Sequence, residues 1–333
     1  MLIGDVARRS GVSARMLRYY ESLGLVRPTG RSGSGYREYA DEDIRRVFHI
    51  ECLRSLGLSL RDVGRALDDP GFAPGELVDD LVRRTRERIA AETELLTRLR
   101  RIGASEPAGW EDVLQVVVLL RALGSKSPAA RQRAALSAAE DVPVPVDALV
   151  EAVLSESDPS VAGALRWALA QSGPDGLALL AEGLGSPEAP VRKRAVRSLA
   201  EFPGDEATAL LREALTSPDV VVRRYAALEL GARGVTDAVP TLVDMIVAGA
   251  NDADAADALS TLASDPASAD RIAHALVERL DRNASGSPAR GRLTQALADI
   301  PGDRASAALA GLSHDEDPAV ALTATYVLGL RDA

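Results

Sequence analysis

Apolar residues Ile3, Val6 and Ala7 recur at helical spacing until Ser10-Gly11 interrupts them, and Ser13 stands where it can cap a second helix running to about Ser22. In that second helix Leu17 and Tyr20 are three residues apart and share an inward face, while Arg15, Arg18, Tyr19 and Ser22 share the opposite stripe. Two short helices joined by a glycine turn predict a helix-turn-helix. The run VRPTGRSGSGYREY then places Pro28 and closely spaced Gly and Ser residues in a loop, with Tyr36, Arg37 and Tyr39 opening an extended segment, the pattern of a small wing. Asp41, Glu42 and Asp43 put negative charge at the start of a third helix. Its apolar positions Ile44, Val47, Phe48 and Leu56 run to Gly57, and Ser59 caps a further short helix through Leu67. Leu17, Tyr20 and Phe48 are assigned to the core, Cys52 to buried packing and His49 to the surface.

After the Asp-Asp-Pro-Gly break at 68–71, residues 76–102 run without glycine or proline. Val82, Ile89 and Leu96 recur every seven residues beside a second seam of Val78, Thr85, Glu92 and Leu99. Periodicity alone leaves two readings open, a short coiled coil or an amphipathic helix packed on its own chain. From about residue 110 the chain repeats. Ser-Pro or Asp-Pro pairs place proline at 128, 159, 187, 218, 288 and 318, mostly about thirty residues apart, with a double interval that a degenerate unit near Asn251-Asp252 fills. The clearest copies are SPEAPVRKRAVRSLAEF and SPDVVVRRYAALELGAR, with arginine five residues after proline at Arg192 and Arg223; Arg133 is matched to them in the first repeat. Proline starting a helix and alanines permitting close approach predict about seven helical hairpins. The repeated arginines are expected to form an internal ladder with neighbouring acids. Trp110 and Trp167 are read as packing residues.

The 333 residues are 46% hydrophobic but only 3% aromatic, which favours packed helices over sheet. The fold class expected is mainly α: a helix-turn-helix with a small β wing, a long coiled-coil helix and an α-solenoid. A single cysteine excludes an intramolecular disulfide or multi-cysteine metal site. No apolar stretch reaches membrane-spanning length, so a cytoplasmic protein with no membrane partner is expected. The net charge of -10 divides into +2 for residues 1–75, +1 for 76–102 and -13 for 103–333. Only the N-terminal part has the local charge to meet phosphate. There arginine offers bidentate donors to guanine edges or phosphates, and a tyrosine hydroxyl can donate to a phosphate oxygen.

The strings RMLRYYESLGL, GYREY and LGLSLRDV, in this order and spacing, closely resemble the MerR-type winged-helix domain over about seventy residues. The resemblance implies that the second helix enters the major groove and the wing grips phosphate, so that Arg15, Arg18, Tyr19, Tyr36 and Arg37 contact DNA. Met16 departs from the pattern, where threonine is commoner. The resemblance further implies an antiparallel homodimer through the long helix, and promoter DNA bent and untwisted so that RNA polymerase engages. The polar seam positions Thr85 and Glu92 predict a dimer stabilised by more than this helix. Residues 110–333 resemble short HEAT repeats of the phycobilin-lyase kind.

The expected organisation is therefore a DNA-binding domain at 1–70, a dimerisation helix at 76–102 and a HEAT-like domain at 110–333. The expected function is a sequence-specific transcription regulator, with the repeats sensing a protein or small-molecule effector. The acidic excess of 103–333 admits a basic partner or simply a solvated surface. No cofactor or metal is expected: His274 and His314 lack ligand-like context, and no phosphate loop or nucleophile–base pair supports an enzyme on a HEAT scaffold. A purely structural role for the repeats is the third reading.

Overall fold

A computed structural model describes residues 1–33, 35–69, 73–138, 145–283 and 288–331. Among them it holds nineteen α-helices and one two-stranded sheet, and none of the helices is long and apolar enough to cross a membrane. The chain divides into two compact units, Met1–Leu96 and Thr97–Ala333.

The first unit contains α1 (Ile3–Ser10), α2 (Ala14–Ser22), strands β1 (Gly30–Arg31) and β2 (Arg37–Glu38), α3 (Asp41–Ser55) and α4 (Leu60–Asp68). α5 (Pro74–Ala104) begins in this unit and continues into the second. At the expected break at 68–71, α4 ends at Asp68, and Pro70 and Gly71 lie outside the described residues. Val6, Leu17, Tyr20, Val47, Ile50 and Val63 form a core that is almost wholly closed to solvent. Ser13 and Ser59 cap α2 and α4, accepting from the backbone N–H of Met16 and Asp62. Phe48 and Cys52 are exposed, contrary to expectation. α3 turns Ile44, Val47 and Ile50 inward at intervals of three. Phe48, Cys52 and Leu56 lie four apart on the adjacent face, which these inward residues leave outside. His49 is exposed, as read from the sequence.

In the second unit seven helical pairs follow one another: α6 (Trp110–Leu123) with α7 (Pro128–Ala138), α8 (Val146–Ser155) with α9 (Pro159–Gln171), and α10 (Leu177–Leu184) with α11 (Ala189–Leu199). Then come α12 (Asp205–Ala214) with α13 (Val220–Ala232), and α14 (Val239–Ala248) with α15 (Asp252–Leu262). The last are α16 (Pro266–Arg282) with α17 (Pro288–Ala296), and α18 (Asp303–Leu312) with α19 (Pro318–Arg331). One continuous core runs through them from Leu119 to Val327. Small residues set the spacing: a Cβ added to Gly231 of α13 would stand 2.9 Å from the Cβ of Ala258 in α15. Pro159 opens α9 beside the capping carboxylate of Asp158, whereas α11 and α13 begin two residues beyond Pro187 and Pro218.

The arginine ladder forms only in part: among the described residues Arg192 reaches an acid, Arg223 donates to backbone carbonyls alone, and the first repeat uses a different arginine. Arg192 bonds Asp219 and the Ser186 carbonyl, Arg290 bonds Asp315, and Arg223 donates to the Ser217 carbonyl at 2.6 Å. In the first repeat the equivalent residue is Arg131, not Arg133. Arg131 donates to the Ser125 carbonyl six residues back, as Arg192 does to Ser186, because the first repeat carries its proline later in the turn. A second set of arginines holds helix ends across repeats. Arg233 donates to the carbonyls of Ala200 and Phe202 and to Thr208, and Arg331 repeats this on Ala298, Ile300 and Ser306. These otherwise unpaired carbonyls at helix C-termini are thus satisfied by cations. Arg101, near the end of α5, pairs with Asp147 at 2.8 Å and with Glu151, both on α8. Trp110 and Trp167 are not packing residues: they are 81% and 45% exposed.

Candidate nucleic-acid interface

The turn between α1 and α2 requires a left-handed residue, supplied by Gly11 at φ 72°, whose N–H donates to the Ala7 carbonyl. Ser10 closes the same turn, donating its hydroxyl to the Val6 carbonyl and accepting from the Val12 N–H. From this anchored start α2 buries Leu17 and Tyr20, and its register leaves Arg15, Arg18 and Tyr19 exposed together on the other side. Neither arginine has an ion-pair partner among the described residues.

The Tyr20 hydroxyl is held between α2 and α3, donating to Glu51 Oε1 at 2.5 Å and accepting from Arg54 Nη1 at 2.7 Å. Burial, then the hydrogen bond to Glu51, holds the phenol above its ordinary pKa, so it stays a neutral donor. Replacing Tyr20 by Phe is expected to lower the stability of this unit by about 1 kcal/mol, read by urea titration, since both partners keep access to water. An unchanged midpoint would show that the network contributes nothing.

The wing is a tight ribbon. Gly30 pairs with Glu38 and Arg31 with Arg37, and at its tip the Ser32 N–H donates to the Tyr36 carbonyl at 2.8 Å. The chain start flanks it: Leu2 bridges Glu38, and the Met1 ammonium donates to the Tyr39 carbonyl at 2.7 Å. Asp43, in the first turn of α3, accepts from the Ala40 N–H and from the Thr29 hydroxyl, fixing the base of the wing. Tyr36 projects into solvent at 65% exposure. Arg37 is half-buried, and its Nε lies 2.6 Å from Glu21 Oε2 as a charge contact off the hydrogen-bonding direction. That contact joins the wing to the last turn of α2. Tyr39, behind it, is buried, and its phenol is pushed up by burial and then by the Glu21 charge.

The five residues singled out from the sequence therefore fall into two groups. Arg15, Arg18 and Tyr19 share an exposed helix face, Tyr36 crowns the wing, and Arg37 is partly committed to Glu21. Sequence reasoning missed Arg31, an exposed cation directly across the ribbon from Arg37. Its signal was its place in the strand opposite REY. It also missed Arg46, whose Nε donates to the Leu25 carbonyl at 2.5 Å and holds the chain leaving α2.

A family model described as MerR HTH family regulatory protein matches residues 1–69, and one described as HEAT repeats matches 177–263. An uncharacterized HTH-type transcriptional regulator of Pseudomonas aeruginosa is 49% identical over 67 residues, 20% of this chain and 51% of that protein. The HTH-type transcriptional regulator SkgA of Caulobacter vibrioides is 41% identical over 97 residues, 29% of this chain and 36% of its own length. The chain thus spans about half or less of these two relatives. The HTH-type transcriptional regulator HmrR of Rhizobium leguminosarum is 36% identical over 104 residues, covering 30% of this chain and 79% of that protein. The solved N-terminal part of MtaN, the Bacillus subtilis multidrug transporter activator, matches 30% of this chain at 26% identity with a TM-score of 0.29.

Proposed function

The chain belongs to the MerR HTH family and carries HEAT repeats in its C-terminal part, and on that footing we propose that it is a sequence-specific transcription regulator. It binds promoter DNA in the cytoplasm as a homodimer, distorts it so that RNA polymerase engages indirectly, and uses residues 110–333 to sense an effector. The observation that carries the DNA reading is the exposed face of α2, where two arginines without ion-pair partners among the described residues and a tyrosine stand opposite a closed core. An exposed arginine alone is usually just solvated. Here a rigid wing with Tyr36, Arg31 and Arg37 completes the surface. Arg15, Arg18 and Tyr19 are assigned to the major groove, and Tyr36, Arg31 and the guanidinium edge of Arg37 that Glu21 leaves free are assigned to phosphate.

The dimer reading rests on α5. Its residues from Val82 to Leu96 are all exposed, and none of the 31 residues of the helix is buried, so an amphipathic helix packed on its own chain is disfavoured. The organisation supported is a DNA-reading domain at 1–70, a dimerisation helix at 76–102 and a sensing array at 110–333. The test is a gel-shift titration of the full chain on the DNA upstream of its own gene, with competitor DNA and at several salt concentrations. Sequence-selective binding is expected; none at any salt would reject the regulator reading for that operator. Arg18→Ala should weaken specific binding by about 1–3 kcal/mol if it reads a base edge. An equal loss on all sequences would reassign Arg18 to phosphate.

A further inference from the structure

The second unit is strongly acidic, yet α9 and α11 concentrate cations around a cavity of about 550 Å³. Arg166, Lys193, Arg194 and Arg197 line it together with two acids, Glu156 and Asp219. Both acids are already neutralised from outside the cavity. Glu156 takes two hydrogen bonds from Arg131, at 2.6 and 2.9 Å, and Asp219 takes Arg192 at 2.9 Å. Arg166 faces Glu201 at 3.4 Å. The other three cations have no acid partner among the described residues. Arg194 donates only to the neutral Leu154 carbonyl, while Lys193 and Arg197 stand 5.8 and 5.6 Å from the centre of the Tyr225 ring. That ring attracts both and holds two like charges side by side, so the site is positive before any ligand arrives. Pro159, Pro190 and Val221, from the first turns of α9, α11 and α13, also line the cavity and bring the positive ends of three helices to it.

We propose that this cavity binds a compact phosphorylated small molecule carrying at least two negative charges. Its volume lies in the range of small-ligand sites, and guanidinium groups match phosphate oxygens in bidentate geometry. A long nucleic acid is disfavoured by the same charge map. Beyond about 10 Å from the cavity at ordinary salt, an extended polyanion meets the -13 surroundings rather than the local cations. A basic partner, which the net charge alone would admit, is excluded from this site. Binding here does not depend on the N-terminal domain reading DNA; only its consequence for a promoter rests on that reading.

The test is isothermal titration calorimetry of the full chain with inorganic pyrophosphate, tripolyphosphate and ATP, beside the double variant Lys193→Gln/Arg197→Gln. Both side chains are exposed, and circular dichroism checks that the helices persist. Saturable binding that falls at least about tenfold in the double variant is expected. No saturable heat at millimolar ligand, or equal affinity in wild type and variant, would overturn the proposal. A non-specific DNA duplex measured on both proteins separates the remaining source. If its affinity falls in the variant as much as that of tripolyphosphate, the face takes nucleic acid and the small-ligand reading is lost. Failure of promoter binding would leave these outcomes unaffected.

Discussion

The double variant Ile89→Glu/Leu96→Glu is expected to sediment as a monomer of 35.0 kDa at micromolar concentration, while the wild-type chain sediments at about twice that mass. Both residues lie on the exposed apolar seam of α5, at 59% and 46% exposure, with Val82 and Val78 on the same stripe. Carboxylates introduced there meet apolar side chains, or one another, across a paired helix, and like charges at such positions oppose association. In a lone surface helix they would be nearly silent, because the side chains already face water. The same variant should lose specific DNA affinity by about a hundredfold or more, since two heads joined in one dimer gain effective concentration that a single head lacks. Wild-type mass in analytical ultracentrifugation that is unchanged by the double substitution would remove α5 from the interface. Thr85 and Glu92 interrupt the seam, so a milder single variant, Val82→Ala, should shift the monomer–dimer equilibrium only partly.

The second large effect is expected in the repeat array. Glu156→Ala should destabilise the packing of α7 against α9 by about 3 kcal/mol, at the lower end of the cost of breaking a buried ion pair, because Arg131 keeps some contact with water. The Glu156 side chain is 4% exposed and accepts two bonds from Arg131 and two more from the backbone N–H groups of Ser157 and Asp158. Its removal strands all four donors at once. Hydrogen exchange read by mass spectrometry should show faster exchange in α7 and the first turn of α9, and wild-type protection there would refute this role. The charge also has a pH signature. The hydrogen bond from Arg131, opposed in part by burial and aided by the two backbone N–H groups, holds the Glu156 carboxyl below its ordinary value of 4.5. A depressed folded-state pKa contributes stability that is fully present above 4.5 and is lost as pH falls through the folded value. Asp219, lowered by Arg192 and then by the Val221 N–H, adds in the same direction. Wild-type stability should therefore fall more steeply in acid than that of Glu156→Gln, whose side chain no longer titrates. Parallel acid limbs would show that the pair carries no linkage.

Much of this was legible in the chain. Ser13 and Ser59 marked helix starts because a hydroxyl before an apolar run satisfies backbone N–H groups that nothing else can reach. The alternation of Leu17 and Tyr20 with Arg15, Arg18 and Tyr19 assigned both faces of α2, since a rigid period leaves one partition of such residues. Phe48 and Cys52 were misplaced for a related reason. Where apolar residues occupy two neighbouring faces of α3, periodicity does not say which face meets the core, and the packing of Val47 and Ile50 decided it. Trp110 and Trp167 failed similarly, because a large aromatic on a helix is not obliged to find a cavity.

Local rules thus determined the helix-turn-helix, the wing, the long helix and the repeat count, because capping, glycine turns and hydrophobic period act over a few residues. Tertiary structure alone decided which charges cancel. The partners Arg131 and Glu156, Arg192 and Asp219, and Arg37 and Glu21 lie 25, 27 and 16 residues apart, and no local period joins them. Once those pairs close, Lys193, Arg194 and Arg197 remain as a positive site inside an acidic unit, which net charge had hidden because it counts every residue equally and a ligand meets only those left unpaired.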